Sequence, residues 1–140
     1  MKEMTETLKE FCEKEELLRL AFIDSSGYPR VVPVWFVLLD GECFLGTNSP
    51  SAKLKAIKRD SRVGWVIDGG PMSAYKGASF RGRAEEVTDS ALRANIYNAL
   101  GNKYFGSPDH PKYVELYGEV DNPEVVYLRL RVENSLTWEY

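Results

Sequence analysis

Six short stretches of the chain are rich in apolar, β-branched and aromatic residues, a composition typical of β-strands. Turn-forming residues separate the early stretches. Asp24 to Pro29 contains aspartate, serine, glycine and proline, and Asp40-Gly41 is a strong hairpin signal. The predicted strands are Leu17–Ile23, Arg30–Leu39, Cys43–Thr47, Val63–Ile67, Ala78–Val87 and Val125–Val132.

Between these strands the apolar residues change to helical spacing. Leu8, Phe11 and Cys12 share one face of a short amphipathic helix, and a lysine-rich surface helix follows Ser49, with Asn48 or Ser49 as its cap and Pro50 in its first turn. The remaining predictions are a helix over Ser90–Leu100 capped by Asp89, a loop from Gly101 to Pro111, and a helical turn over Tyr113–Tyr117.

The order of these elements favours a mainly β domain. Pro33 lacks an N–H, so its strand is predicted to lie at a sheet edge or to be bulged there. Sequential strands joined by short hairpins indicate a Greek-key-like antiparallel barrel of about six strands with two or three peripheral helices. A chain of 140 residues, 44% of them hydrophobic, can bury one such core, so a single domain over residues 1–140 is expected.

Composition narrows the function classes. The formal net charge of −3 argues against nucleic acid as the main ligand. Apolar runs are too short to span a bilayer and the charged start lacks a signal-peptide core, so a cytoplasmic protein without membrane contact is expected. The spacing of Cys12 and Cys43 predicts free thiols, and a single histidine, His110, excludes a histidine-rich metal centre.

Several other polar and aromatic residues are weighed for function. Glu85 and Glu86 are adjacent on a strand, so they face opposite sides and form a poor acid/base pair. Trp65 and Phe80 are expected to fill the barrel. For four tyrosines of the C-terminal half, three roles remain open: simple packing, a dimer surface or a substrate lid. These residues are Tyr97, Tyr104, Tyr113 and Tyr117.

The segment Gly46–Asp60 carries the clearest candidate chemistry. It joins a strand to a helix whose first N–H groups have no intrahelical acceptor, and such helix starts attract anions. The hydroxyls of Thr47 and Ser51 and the ammonium of Lys53 can converge on this start. The pattern suits a phosphate monoester, although a plainly capped surface helix has the same pattern.

An ordered series of motifs over residues 17–88 resembles the flavin-binding domain of the pyridoxamine 5'-phosphate oxidase-like family. The series comprises a Gly-x-Pro hairpin, a Pro-Val-Trp-Phe strand, a Thr-x-x-x-Ser-x-Lys turn, an Arg-Asp-x-Arg-Val link and Gly-Arg-Ala-Glu on the next strand. The C-terminal Leu-Thr-Trp-Glu-Tyr is also similar. The resemblance implies an antiparallel split β-barrel that binds FMN.

The same resemblance implies site residues and an assembly. Thr47, Ser51 and Lys53, with the amide of Ala52, would hold the FMN phosphate. The strand before them would lie against the isoalloxazine ring through Val32, Pro33, Val34 and Trp35. A homodimer with cofactor at the interface is implied, with Lys76 and Gly77 as weaker candidates for the partner's cofactor.

Two departures from the family pattern affect the expected activity. Ala52 stands where many members have a second basic residue, and the ending Val-Glu-Asn-Ser-Leu-Thr-Trp-Glu-Tyr lacks the arginine-bearing substrate segment of the true oxidase. Vitamin B6 oxidase activity is therefore not expected. The favoured function is an FMN-dependent oxidoreductase acting on a small organic substrate, with no catalytic side chain assigned. The alternatives are a flavin-binding electron carrier or redox sensor, or a relative that binds a deazaflavin coenzyme or haem.

Overall fold

The computed structural model describes residues 4–140 as a curled antiparallel sheet flanked by helices. The seven strands lie in the order β2-β1-β5-β6-β7-β4-β3. In chain order the elements are α1 (Glu6–Lys14), β1 (Leu18–Ile23), β2 (Pro29–Val34), β3 (Val37–Leu39), β4 (Glu42–Asn48), α2 (Ala52–Arg59), β5 (Arg62–Gly69), a 3-10 turn (Met72–Ala74), β6 (Lys76–Glu86), α3 (Ser90–Phe105), α4 (Pro111–Tyr117) and β7 (Val125–Glu139).

The two edges of the sheet are β2 and β3, and only Trp35 and Phe36 separate these strands in the chain. Because two residues can bridge only a short distance, the sheet must curl until its edges nearly meet. This curl confirms the predicted split barrel. It also places Pro33 on an edge strand, as its missing N–H required.

The strand predicted over Arg30–Leu39 is interrupted at Phe36 because helix α3 binds the backbone there. The Tyr104 hydroxyl accepts the Phe36 N–H at 3.0 Å and donates to the Glu16 carbonyl at 2.7 Å. Lys103 Nζ donates to the Phe36 carbonyl at 3.0 Å. These side chains take the place of a neighbouring strand as hydrogen-bond partners of Phe36. The chain therefore passes from pairing with β1 to pairing with β4 without leaving a buried backbone group unpaired.

Helix α3 is longer than the sequence predicted, since the expected loop at Gly101 is helical as far as Phe105. Gly101 is packed against Pro108 and Tyr113, where a Cβ atom would approach to 2.5 and 2.8 Å. Position 101 is therefore glycine because the packing leaves no room for a side chain. The helix ends instead at Gly106, which has the positive φ of 77° that favours glycine.

Two apolar clusters lie on opposite sides of the sheet. The barrel interior contains the stacked pair Trp65 and Phe80, whose ring centroids are 5.3 Å apart, so the predicted packing role of both residues is confirmed. Cys12 and Cys43 are buried there as free thiols, again as predicted. The outer cluster joins the sheet to α3 and α4 and includes Phe44, Ile96, Tyr97, Leu100, Tyr113, Tyr117 and Tyr127.

Strand β7 extends seven residues beyond its predicted end at Val132 and shapes the opening of the barrel. It pairs with β4 only over Val125–Leu130 but with β6 from Leu128 to Glu139, with a register shift at Arg81/Gly82. Beyond Leu130 the barrel wall therefore has no continuation on the β4 side. Across residues 4–140, the helices are all too short or too polar to span a membrane.

Candidate functional site

Helix α2 starts later than its sequence indicated, and the reason is the strand before it. The Ser49 N–H still donates to the Glu124 carbonyl at 2.7 Å, which continues the pairing of β4 with β7. The helix therefore begins at Ala52 with Ser51 as its cap, so the predicted caps Asn48 and Ser49, and the helical position of Pro50, are wrong. Ser51 Oγ accepts the Leu54 N–H at 3.0 Å.

A cavity of about 570 Å³ lies between this helix start and the β1–β2 hairpin. Its lining combines apolar side chains with charged and hydroxyl-bearing ones. Its lining residues are Phe22, Asp24, Ser25, Ser26, Arg30, Val32, Ala52, Lys53, Lys55, Ala56 and Arg59. We call it the α2 cavity.

The electrostatics of the α2 cavity favour an anion. Four basic residues line it against one acidic residue, Asp24, which lies 3.8 Å from Arg30. Lys53 belongs to none of the ion pairs among residues 4–140. Burial lowers its pKa because the charged ammonium loses water without gaining a carboxylate. A bound anion would remove this penalty.

The helix start adds backbone donors to the same cavity wall. The first helical hydrogen bonds engage the N–H groups of Leu54 and Lys55, through the side chain and carbonyl of Ser51. Within the described part of the chain, the N–H groups of Ala52 and Lys53 have no acceptor, as the first turn of a helix requires. Both residues line the cavity, next to the positive end of the helix dipole.

The structure brings only three of the eight predicted site residues to the lining of this cavity: Val32, Ala52 and Lys53. Val34 faces the barrel core, and Pro33 is exposed on the edge strand. Trp35 stacks on Tyr104 with ring centroids 4.7 Å apart. Thr47 is buried opposite Val126 of β7, and Ser51 caps the helix.

Two arginines of the cavity were missed by the sequence analysis, although the sequence holds a signal for each. Arg30 is two residues before Val32, so both side chains lie on one face of β2. Arg59 is seven residues after Ala52, which is two helical turns. Their positive charges add to those of Lys53 and Lys55 in the lining of the α2 cavity.

Other polar candidates have structural partners. His110 caps α4, with its Nδ1 accepting the Lys112 N–H at 3.1 Å. Glu85 pairs with Arg131 at 2.7 Å and Arg129 at 3.1 Å, and these hydrogen bonds lower its pKa. Over residues 4–140 no group of three or more histidine, cysteine or carboxylate side chains is arranged to hold a metal ion. Tyr97 and Tyr113 pack in the outer cluster with ring centroids 4.8 Å apart.

Solved structures share the fold over nearly the whole chain. A conserved hypothetical protein of Mycobacterium tuberculosis, Rv2991, is 24% identical with a TM-score of 0.82, covering 98% of this chain and 86% of its own. The haem storage protein HutZ of Vibrio cholerae is 19% identical with a TM-score of 0.72, covering 95% and 92%. A FAD-binding protein of Mesorhizobium loti is 19% identical with a TM-score of 0.72, covering 99% and 96%.

Sequence comparison identifies the family. No curated protein matches the chain. The model of the family described as pyridoxamine 5'-phosphate oxidase matches residues 4–139, which is almost the full length and includes the ordered series of motifs over residues 17–88. The chain belongs to the pyridoxamine 5'-phosphate oxidase-like family.

Proposed function

We propose that this protein binds FMN with the phosphate in the α2 cavity. The observation that carries the proposal is Lys53, a partly buried ammonium outside every ion pair of the described residues, beside free N–H groups at a helix start. A phosphate monoester would accept from the N–H groups of Ala52 and Lys53 and from the side chains of Lys53 and Arg30.

The cavity fits such a group in size as well as charge. Ligand sites of small molecules commonly measure roughly 300–1,000 Å³, and the α2 cavity is about 570 Å³. Val32 supplies an apolar wall on β2, the strand that we propose to lie along the isoalloxazine ring through Val32, Pro33, Val34 and Trp35. Ser51 retains a hydroxyl proton for donation to phosphate, and Thr47 completes the proposed set.

The proposed activity is an FMN-dependent oxidoreductase that acts on a small organic substrate. Bound FMN supplies the hydride or electron chemistry, and the protein residues hold the phosphate, orient the ring and shield one face. We propose a homodimer with cofactor near the interface. Exposed apolar side chains in the turn between β5 and β6 and near the end of β7 support this assembly, with Met72 84%, Leu136 65% and Tyr140 80% exposed.

A haem-binding function has less support from the chain's own residues. HutZ is a haem storage protein, which makes haem the main alternative among the structural neighbours. The single histidine, His110, uses Nδ1 as a helix cap, so a neutral ring carries its proton on Nε2 and has no lone pair free for iron. The electron-carrier and deazaflavin alternatives share the α2 cavity.

The test is a titration of the purified protein with FMN, riboflavin and haemin, followed by absorbance and flavin fluorescence. We expect saturable binding of FMN near one per chain and much weaker binding of riboflavin, because riboflavin lacks the phosphate. Equal affinity for FMN and riboflavin would contradict the role of the α2 cavity. Tight haemin binding without FMN binding would replace the proposal with the haem alternative, and rapid reoxidation of bound reduced FMN by protein acceptors alone would favour the electron carrier.

A further inference from the structure

A second cavity, of about 340 Å³, lies inside the barrel and shares no lining residue with the α2 cavity. It is enclosed by α1, the β3–β4 hairpin and strands β5, β6 and β7. Its lining residues are Met4, Lys9, Leu38, Gly41, Glu42, Cys43, Trp65, Ile67, Phe80, Leu130, Arg131 and Val132. We call it the barrel cavity.

Most of the residues that line the barrel cavity are apolar, and several of them are tightly packed. Trp65, Ile67 and Leu130 are each at least 97% buried, and Trp65 stacks on Phe80. Burial raises the pKa of the Cys43 thiol to about 12, so this side chain stays neutral in the wall. An apolar group that packs against this part of the wall would therefore leave water without covering a charge.

The barrel cavity has an opening in its wall, and the sheet topology explains why. Strand β4 stops pairing with β7 at Leu130, and β7 continues along β6 alone, so the wall is incomplete at Arg131 and Val132. Helix α1 lies across this gap, fixed by the hydrogen bond from the Thr5 hydroxyl to Glu139 at 2.6 Å and by burial of Leu8. This arrangement places Lys9 of α1 at the margin of the cavity.

The charges around the cavity leave one cation without a partner. Glu42 pairs with Arg129 at 3.3 Å, and Arg131 pairs with Glu85 at 2.7 Å, so each charged residue of the β-strand wall has an ion-pair partner that does not line the cavity. Lys9 takes part in none of the ion pairs formed within residues 4–140. The site therefore combines apolar walls with a single available ammonium group.

We propose that the barrel cavity binds an amphipathic monocarboxylate such as a medium-chain fatty acid. Its alkyl chain lies among Trp65, Phe80 and Leu130, and its carboxylate pairs with the ammonium of Lys9. This site is independent of the proposed FMN site, and its occupant is a ligand additional to the cofactor.

The test is isothermal titration calorimetry of the full chain with decanoate and, separately, decanol, each below the concentration at which it self-associates. We expect saturable decanoate binding near one per chain, and Lys9→Gln should weaken it by about tenfold through loss of the charge-assisted contact. Decanol binding should be unaffected by that change. Lys14→Gln is the matched control, because Lys14 is an exposed lysine on the same helix outside this cavity.

A cavity-filling variant tests the location. Val132→Trp places a large side chain in the cavity and should abolish binding of both probes, with circular dichroism and a cooperative thermal unfolding transition confirming that the fold is retained. Leu38→Trp, on the opposite wall, serves the same purpose if Val132→Trp does not fold. Unchanged decanoate binding in a folded filling variant, or equal effects of Lys9→Gln and Lys14→Gln, would overturn the proposal, whether or not FMN binds.

Discussion

Lys53 of α2 and Lys103 of α3 are both partly buried lysines whose pKa is lowered by burial, yet their surroundings differ. Lys103 donates to the Phe36 carbonyl at 3.0 Å, and its Nζ lies 3.6 Å from the centroid of the Phe36 ring. Lys53 lines the α2 cavity and belongs to none of the ion pairs within the described residues. The protein itself supplies the partner of one lysine but not of the other.

This difference separates structural from ligand-binding roles. A buried polar group is tolerated when the fold provides its partner, as at Phe36, where Lys103 and Tyr104 hold the turn between two strands. A buried polar group that loses water without gaining a partner destabilises the free protein, and a ligand that pairs with the group removes this destabilisation. Replacing residues of the first kind should change stability, whereas replacing residues of the second kind should change affinity.

The largest expected effect is on stability, at Tyr104. Tyr104→Ala removes the hydroxyl that binds the Phe36 N–H and the ring that stacks on Trp35, and should lower the free energy of unfolding by about 3 kcal/mol. Urea denaturation measures the change. Tyr104→Phe, which keeps the ring, should cost only part of it, and an equal cost for both variants would show that the ring contributes nothing.

Next in size is the effect of Lys53→Ala on FMN affinity. Loss of the charge-assisted contact to phosphate should weaken FMN by about 100-fold, or about 2–3 kcal/mol, and leave riboflavin almost unchanged. Fluorescence titration with both flavins measures this split. Lys58→Ala is the matched control, because Lys58 is exposed on the same helix and does not line the cavity. A similar loss for both flavins would exclude the phosphate contact.

A smaller effect is expected for the helix cap. Ser51→Ala removes the acceptor of the Leu54 N–H and should lower the free energy of unfolding by about 1 kcal/mol. Ser51→Asp should restore the cap, but its carboxylate would repel phosphate, so FMN affinity should fall in this variant while stability recovers. If Ser51→Asp binds FMN as well as the wild type, Ser51 lies away from the phosphate.

The smallest expected effect is the pH dependence contributed by Lys103. Burial lowers the pKa of Lys103 to about 8, so between pH 8 and the ordinary value near 10.5 the unfolded chain holds a proton that the folded chain has lost. The free energy of unfolding should therefore rise with pH across this window, by under about 1 kcal/mol after screening. In Lys103→Met this rise should be absent, as denaturation at pH 7.5 and 9.5 would show. A rise of equal size in both proteins would assign it to other groups.

Features that depend on local chemistry could be predicted from the sequence. Residues between Gly46 and Asp60 indicated an anion-binding helix start, and the described structure places Ala52 and Lys53 there beside a cavity. The cap was misplaced by two or three residues because Ser49 continues the pairing of β4 with β7, a contact with a distant segment. Arg30 and Arg59 were missed because their convergence needs both the strand and the helix in place.

By itself, the sequence determined the strand and helix types, the edge position of Pro33, the free cysteines and the family motifs, since each depends on neighbouring residues or on residue chemistry. Only the tertiary structure decided that α3 runs to Phe105, that Tyr104 divides β2 from β3, and that four basic residues share one cavity with Asp24. Those features arise from contacts between residues far apart in the chain, and no local pattern specifies which distant group will supply a partner.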